Sequence, residues 1–133
     1  MKIYCIRHGE SFKLNVHHDA KDPHLTEIGV RQSIQMHQNW LERPFIQVVF
    51  VSPLTRSLET AECIFGKYPS IPIVALDILL ESNQVIYINE KKDKNILENT
   101  FPMINFDYIT DKCKKTIKNE SNDELKERIQ TFK

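Results

Sequence analysis

Apolar residues along the 133-residue chain alternate between short β-branched runs and helical spacing, the order of an α/β fold. Residues 2–6 (Lys2-Ile3-Tyr4-Cys5-Ile6) read as a buried strand that delivers Arg7 and His8 to its carboxyl edge. A polar loop through His17, His18 and Asp22-Pro23 follows, and Thr26 is the expected N-cap of a helix that runs toward Leu41 and is closed by Pro44. Residues 46–51 form a second buried strand. The single helix between the two strands predicts a parallel βαβ unit. Ser52 and Pro53 then stand as N-cap and first residue of a helix whose apolar stripe is Leu54, Leu58, Ala61 and Phe65, with Gly66 as its stop, so Arg56 lies in the first turn. Ile71 to Leu76 is a third strand, and it leads through Asp77 to Glu81.

From Asn83 to Asn119 the pattern weakens into lysine-rich sequence with short apolar clusters, which predicts an insertion with partial helix. Ser121 and Glu124 form a capping box ahead of Leu125, Ile129 and Phe132, an amphipathic helix at the end of the chain. The expected fold class is α/β, three-layered with a mainly parallel sheet, in one domain over residues 1–133.

Charge and composition exclude several functions. Eighteen basic and eighteen acidic residues cancel, so no basic surplus points to nucleic acid. No apolar run approaches membrane-spanning length, and no signal-type segment opens the chain, which predicts a cytoplasmic protein. Three cysteines without CxxC spacing suit reduced thiols, with Cys5 and Cys63 expected in the core. His17, His18 and His24 invite a zinc reading, but the loop offers no fourth ligand, and loop polarity explains them more simply. His37 shares a helical face with Val30 and Ile34, as a hydrogen-bonded core histidine would. Lys91, Lys92 and Lys94 read as a solvated face.

The remaining residues carry chemistry. An imidazole with a pKa near about 6.5 is largely neutral and nucleophilic at pH 7, so His8 can attack phosphorus and become a phosphohistidine. Guanidiniums match phosphoryl oxygens with bidentate, permanently charged hydrogen bonds, a task suited to Arg7 and Arg56, and the N-terminal helix turn around Arg56 adds free amides. Ser52 helps orient the anion. Glu81 can protonate a leaving alkoxide and then deprotonate the water that frees phosphate.

Arg7-His8-Gly9-Glu10-Ser11, Leu25-Thr26-Glu27-Ile28-Gly29-Val30-Arg31-Gln32 and Ser52-Pro53-Leu54-Thr55-Arg56-Ser57-Leu58-Glu59-Thr60-Ala61 resemble, in that order, the signature of the histidine phosphatase superfamily with its phosphoglycerate mutase-like fold. A weaker similarity to mutase-like proteins of plants and fungi covers Leu80-Glu81, Asp93-Lys94 and residues 101–106. The resemblance implies that His8 is the phosphorylated nucleophile, Arg7 and Arg56 the phosphate clamp, Glu81 the proton donor, and Ser11, Ser52 and Asn15 further phosphate contacts. It implies a small phosphomonoester as substrate, with no cofactor and no metal. Asn15 stands one residue later than the family pattern, where Leu14 takes its place. The family also has a second pocket histidine on a later strand, which this chain does not reach. Losing such a donor costs on the order of hundredfold in rate. The lack of the last strands leaves a sheet edge that invites self-association. Two readings follow: a phosphomonoester hydrolase or mutase working through His8, and a catalytically impaired phosphate-binding or interaction protein.

Overall fold

A computed structural model describes residues 2–12, 21–40, 45–81, 89–110 and 121–131. Three parallel strands, β1 (Val49–Val51), β2 (Ile73–Leu76) and β3 (Ile104–Tyr108), form one sheet in the order β1-β2-β3. The helices are α1 (Glu27–Trp40), α2 (Thr55–Phe65), α3 (Lys94–Thr100) and α4 (Asn122–Thr131), with a 3₁₀ turn at Asp77–Leu79. The fold is thus α/β with a parallel sheet, as expected. Among the described residues no helix is long and apolar enough to cross a membrane.

Local chemistry sets the boundaries. Pro72 accepts the Val49 amide through its carbonyl at 2.9 Å but has no N–H to return, so β1 and β2 begin their pairing at Val49 and Ile73. Thr26 caps α1 by accepting the Gly29 amide at 3.1 Å. α2 starts two residues later than expected: Leu54, not Ser52, is its N-cap, without a side-chain bond, and Gly66 is its C-cap. Leu54, Leu58, Ala61 and Phe65 are all buried, and the last three with Trp40, Ile64, Ile73, Ala75, Leu97, Phe101, Ile104 and Phe106 fill the core beside the sheet. His37 sits half-buried with Nδ1 2.7 Å from the Ile64 carbonyl, as its helical spacing predicted. The Ser121–Glu124 capping box closes reciprocally at 2.7 and 3.2 Å. Those bonds hold the exposed Glu124 carboxyl below its ordinary range.

Four expectations are corrected. Residues 2–6 form no strand and are exposed, Ile3 at 72 %. β propensity needs a paired neighbour to be realised, and none of the three sheet strands pairs with this segment; Tyr4 instead rests edge-on against Trp40. Cys5 is therefore exposed, and Cys63 is only half-buried. Residues 94–108 are not an insertion but a helix and strand of the main fold, in which Leu97 is fully buried and β3 pairs along β2. Lys91 does not lie on a solvated face: it is 4 % exposed and paired with Asp77. Pro44 and Phe132 lie outside the described residues.

Candidate active site

Parallel strands end on one edge of a sheet, and the residues that leave that edge are held by rigid elements yet open to ligands. Arg56 follows β1, and Glu81 follows β2 through the 3₁₀ turn. His8 reaches them from the irregular N-terminal segment, which contacts from Gly9, Glu10 and Ser11 fasten. The Gly9 amide donates to Thr60 Oγ1 at 3.1 Å, and that hydroxyl donates to the Arg56 carbonyl at 2.8 Å, so His8 is tied to the turn of α2 that carries Arg56. The Glu10 amide donates to Gln32 Oε1, and the Glu10 carbonyl accepts the Thr26 amide at 2.9 Å. Ser11 forms an isolated antiparallel bridge with Leu25. The loop approaches α1 so closely that a Cβ on Gly29 would stand 2.0 Å from the Glu10 carbonyl oxygen, and one on Gly9 would stand 2.5 Å from that of Gly29. Both glycines are needed for lack of room.

Within this frame His8 is half-buried, with Nδ1 2.6 Å from the Gly9 carbonyl. A carbonyl only accepts, so the ring hydrogen is on Nδ1 and the lone pair of the neutral ring is on Nε2. Arg56 meets that atom: its Nε–H donates to His8 Nε2 at 3.3 Å. The guanidinium is buried, and Nη2 donates to Glu81 Oε2 and to Asn89 Oδ1, each at 2.7 Å. Glu81 keeps 60 % of its side chain exposed, which leaves it access to solvent.

Arg56 is fixed from behind by the start of its helix. Asp22 accepts the Thr55 amide on Oδ1 at 2.9 Å and the Thr55 hydroxyl on Oδ2 at 2.6 Å, taking up amide and hydroxyl donors of the first turn that Leu54 cannot serve. Burial pushes the Asp22 carboxyl above the ordinary carboxylate range, against the pull of the Thr55 bonds and of the positive Lys92 and Arg56. Beside it, His24 Nδ1 is 2.6 Å from Glu59 Oε1, and Lys92 Nζ lies 3.4 Å from His24 Nε2.

Of the residues expected from sequence, the structure brings His8, Arg56 and Glu81 together. Arg7 is exposed next to His8, without a hydrogen bond among the described residues. Ser52 leaves the end of β1 with its hydroxyl buried and unpartnered. Ser11 is half-buried at its bridge, and Asn15 lies outside the described residues. Asn89, Asp22 and Thr60 escaped the sequence reading. Thr60 sits within a matched motif and Asp22 shortly before one, whereas Asn89 follows a short apolar cluster in sequence and matches no motif.

Comparison with known proteins places the chain in a family. Similarity reaches 35 % identity over 88 residues with a 5''-phosphoribostamycin phosphatase of Niallia circulans, covering 61 % of this chain and 41 % of that protein. With a probable phosphoglycerate mutase of Arthroderma benhamiae it is 33 % over 92 residues, 61 % of this chain and 27 % of the relative. The chain thus spans less than half the length of these curated relatives. The fold matches the crystal structure of an ecdysone phosphate phosphatase from Bombix mori in complex with tungstate, at a TM-score of 0.67 and 20 % identity, over 91 % of this chain and 61 % of that one. The profile of the histidine phosphatase superfamily (branch 1) matches residues 3–132, and with the ordered motifs meeting around His8 the chain belongs to that superfamily.

Proposed function

We propose that the chain carries the phosphoryl-transfer site of a phosphomonoester hydrolase or mutase that works through a phosphohistidine on His8. The observation that carries this reading is the unprotonated His8 Nε2 standing 3.3 Å from Arg56 Nε, with the tautomer set by the Gly9 carbonyl. Nε2 attacks phosphorus, the ester P–O bond breaks, and Glu81 in its acid form gives its proton to the leaving oxygen. Glu81 then takes a proton from water as the new P–O bond forms and the N–P bond breaks. Arg56, with Arg7 at the rim, neutralises charge on the equatorial oxygens, and Ser11, Ser52 and Asn15 add polar contacts. The unpartnered Ser52 hydroxyl is the best supported of these last three. The substrate is a small phosphomonoester, and the reaction uses no metal or other cofactor. The named relatives, one a phosphatase and one a probable mutase, support this class.

A phosphate-binding protein without efficient turnover is the other reading. It is favoured by the two further described histidines being engaged elsewhere, His24 with Glu59 and His37 with Ile64. Hydrolysis of p-nitrophenyl phosphate by the wild-type chain beside His8→Ala separates them. Turnover lost in the variant supports the enzyme, phosphate binding without turnover supports the alternative, and turnover untouched by the substitution overturns the assignment of His8. Exposed Cys5 as a free thiol is consistent with a cytoplasmic setting. Exposed Phe45 and Phe50 near β1 support self-association through that surface, which concentration-dependent sedimentation would reveal.

A further inference from the structure

The two acceptors of Arg56 Nη2 come from separate stretches of chain. Glu81 follows the exit of β2 and Asn89 precedes α3, and neither residue has regular secondary structure. A side chain on irregular backbone keeps its angle only where that backbone is itself fastened. Both stretches are fastened at one place. Asp77, four positions before Glu81, and Lys91, two positions after Asn89, form an ion pair at 3.0 Å, with the Lys91 side chain 3 % exposed. Lys91 Nζ also donates to the Thr110 carbonyl at 2.7 Å, while Asp77 Oδ2 accepts the Thr110 amide at 2.8 Å and its hydroxyl at 2.9 Å. The cluster therefore joins the exits of β2 and β3 to the segment that carries Asn89. Three further bonds brace the same pieces: the Glu90 amide donates to the Lys21 carbonyl, and Arg128 Nη1 of α4 donates to the Ile78 and Leu80 carbonyls at 2.6 and 2.7 Å.

A buried ion pair is weak evidence for a stabilising role, because apolar side chains of similar size fill such a space at no desolvation cost. Here the geometry gives it another role. We infer that the Lys91–Asp77–Thr110 cluster is a positioning device for Arg56, acting through Asn89 and Glu81, and that Asn89 is a positioning residue for the guanidinium plane. The inference rests on the proposal that Arg56 grips a phosphoryl group. With Nη2 held by two acceptors and Nε on His8, the guanidinium is oriented before a substrate arrives, the condition under which fixed donors stabilise a transition state most.

The test compares the wild-type chain with Asn89→Leu and with the double variant Asp77→Leu/Lys91→Met, which removes both charges together so that neither is orphaned. Rotation about the Arg56 Cζ–Nη bonds is read by nitrogen-15 NMR, on the signal that disappears in Arg56→Lys. Inorganic phosphate affinity is read by calorimetry, and the thermal midpoint is followed alongside. Both variants are expected to speed the rotation and to weaken phosphate binding about tenfold, the loss of one hydrogen bond to a charged group. A lower thermal midpoint with rotation and affinity within twofold of wild type in both variants overturns the inference. Should the chain neither bind phosphate nor turn over an ester while rotation still quickens, the positioning role stands and the phosphoryl-transfer reading falls. Intact turnover with unchanged rotation refutes the positioning role alone.

Discussion

Thr60→Val removes the hydroxyl that joins His8 to Arg56 and changes almost nothing else. Thr60 is buried, and its Oγ1 both accepts the Gly9 amide at 3.1 Å and donates to the Arg56 carbonyl at 2.8 Å. Valine keeps the shape, so the core stays filled, but the Gly9 amide, buried against Gly29, loses its acceptor. An orphaned buried donor costs about 1–3 kcal/mol. The second bond adds little, because the Arg56 carbonyl has a second lone pair within the helix. For a domain of this size that corresponds to a fall of roughly 3–15 °C in thermal midpoint. The loop is then free to move His8, and a displacement near 1 Å lowers a positioned reaction by on the order of a hundredfold. Calorimetry and single-turnover hydrolysis of p-nitrophenyl phosphate measure the two effects. Thr60→Ser restores both bonds and is expected to recover most of the rate. A valine variant with unchanged midpoint and rate, or a serine variant as damaged as the valine one, refutes the coupling.

Arg56→Lys keeps the charge but cannot span His8, Glu81 and Asn89 at once, and kcat is expected to fall by about 10²–10³, as for the loss of one preorganised donor. Gly29→Ala drives a methyl group into the Glu10 carbonyl and is expected to cost about 1–3 kcal/mol in urea unfolding, with loss of turnover as the loop is pushed off α1. Burial raises the folded-state pKa of Asp22 above its ordinary 3.8. The folded chain therefore holds that proton more tightly than the unfolded one, and the Asp22 contribution to stability declines as pH rises from 3.8 through the raised folded value. Subtracting the urea stability of Asp22→Asn from that of wild type across this window should show the decline, and a difference that grows with pH contradicts it.

Much of the fold was legible because local and long-range preferences agree in it. Thr26 caps where a threonine before an apolar stripe should, the 54–65 stripe is buried, and the Ser121–Glu124 box closes. The segment 104–108 shows the period-two alternation of a half-buried strand at Ile104, Asn105, Phe106 and Asp107, but lysine-rich flanks obscure it. The N-terminal run failed in the opposite way: its β-branched residues carry strand propensity, which pairing with a neighbour decides. Arg56 and Glu81 could be found because each follows a recognisable strand, and His8 because it stands in the Arg7-His8-Gly9 motif, although the strand expected before it does not form. Asn89 and Lys91 could not, since neither lies in a periodic element and contacts between segments remote in sequence leave no periodic trace.

The central claim is that phosphorus bonds to His8 Nε2, the ring atom left unprotonated by the Gly9 carbonyl. Acid-free quenching of wild-type chain during phosphomonoester turnover, followed by proton–phosphorus correlation NMR of the trapped species, reads which atom carries the group. The account predicts a single phosphohistidine at His8, substituted on Nε2 and absent from His8→Ala. Label on Nδ1, on another residue, or persisting in His8→Ala contradicts it.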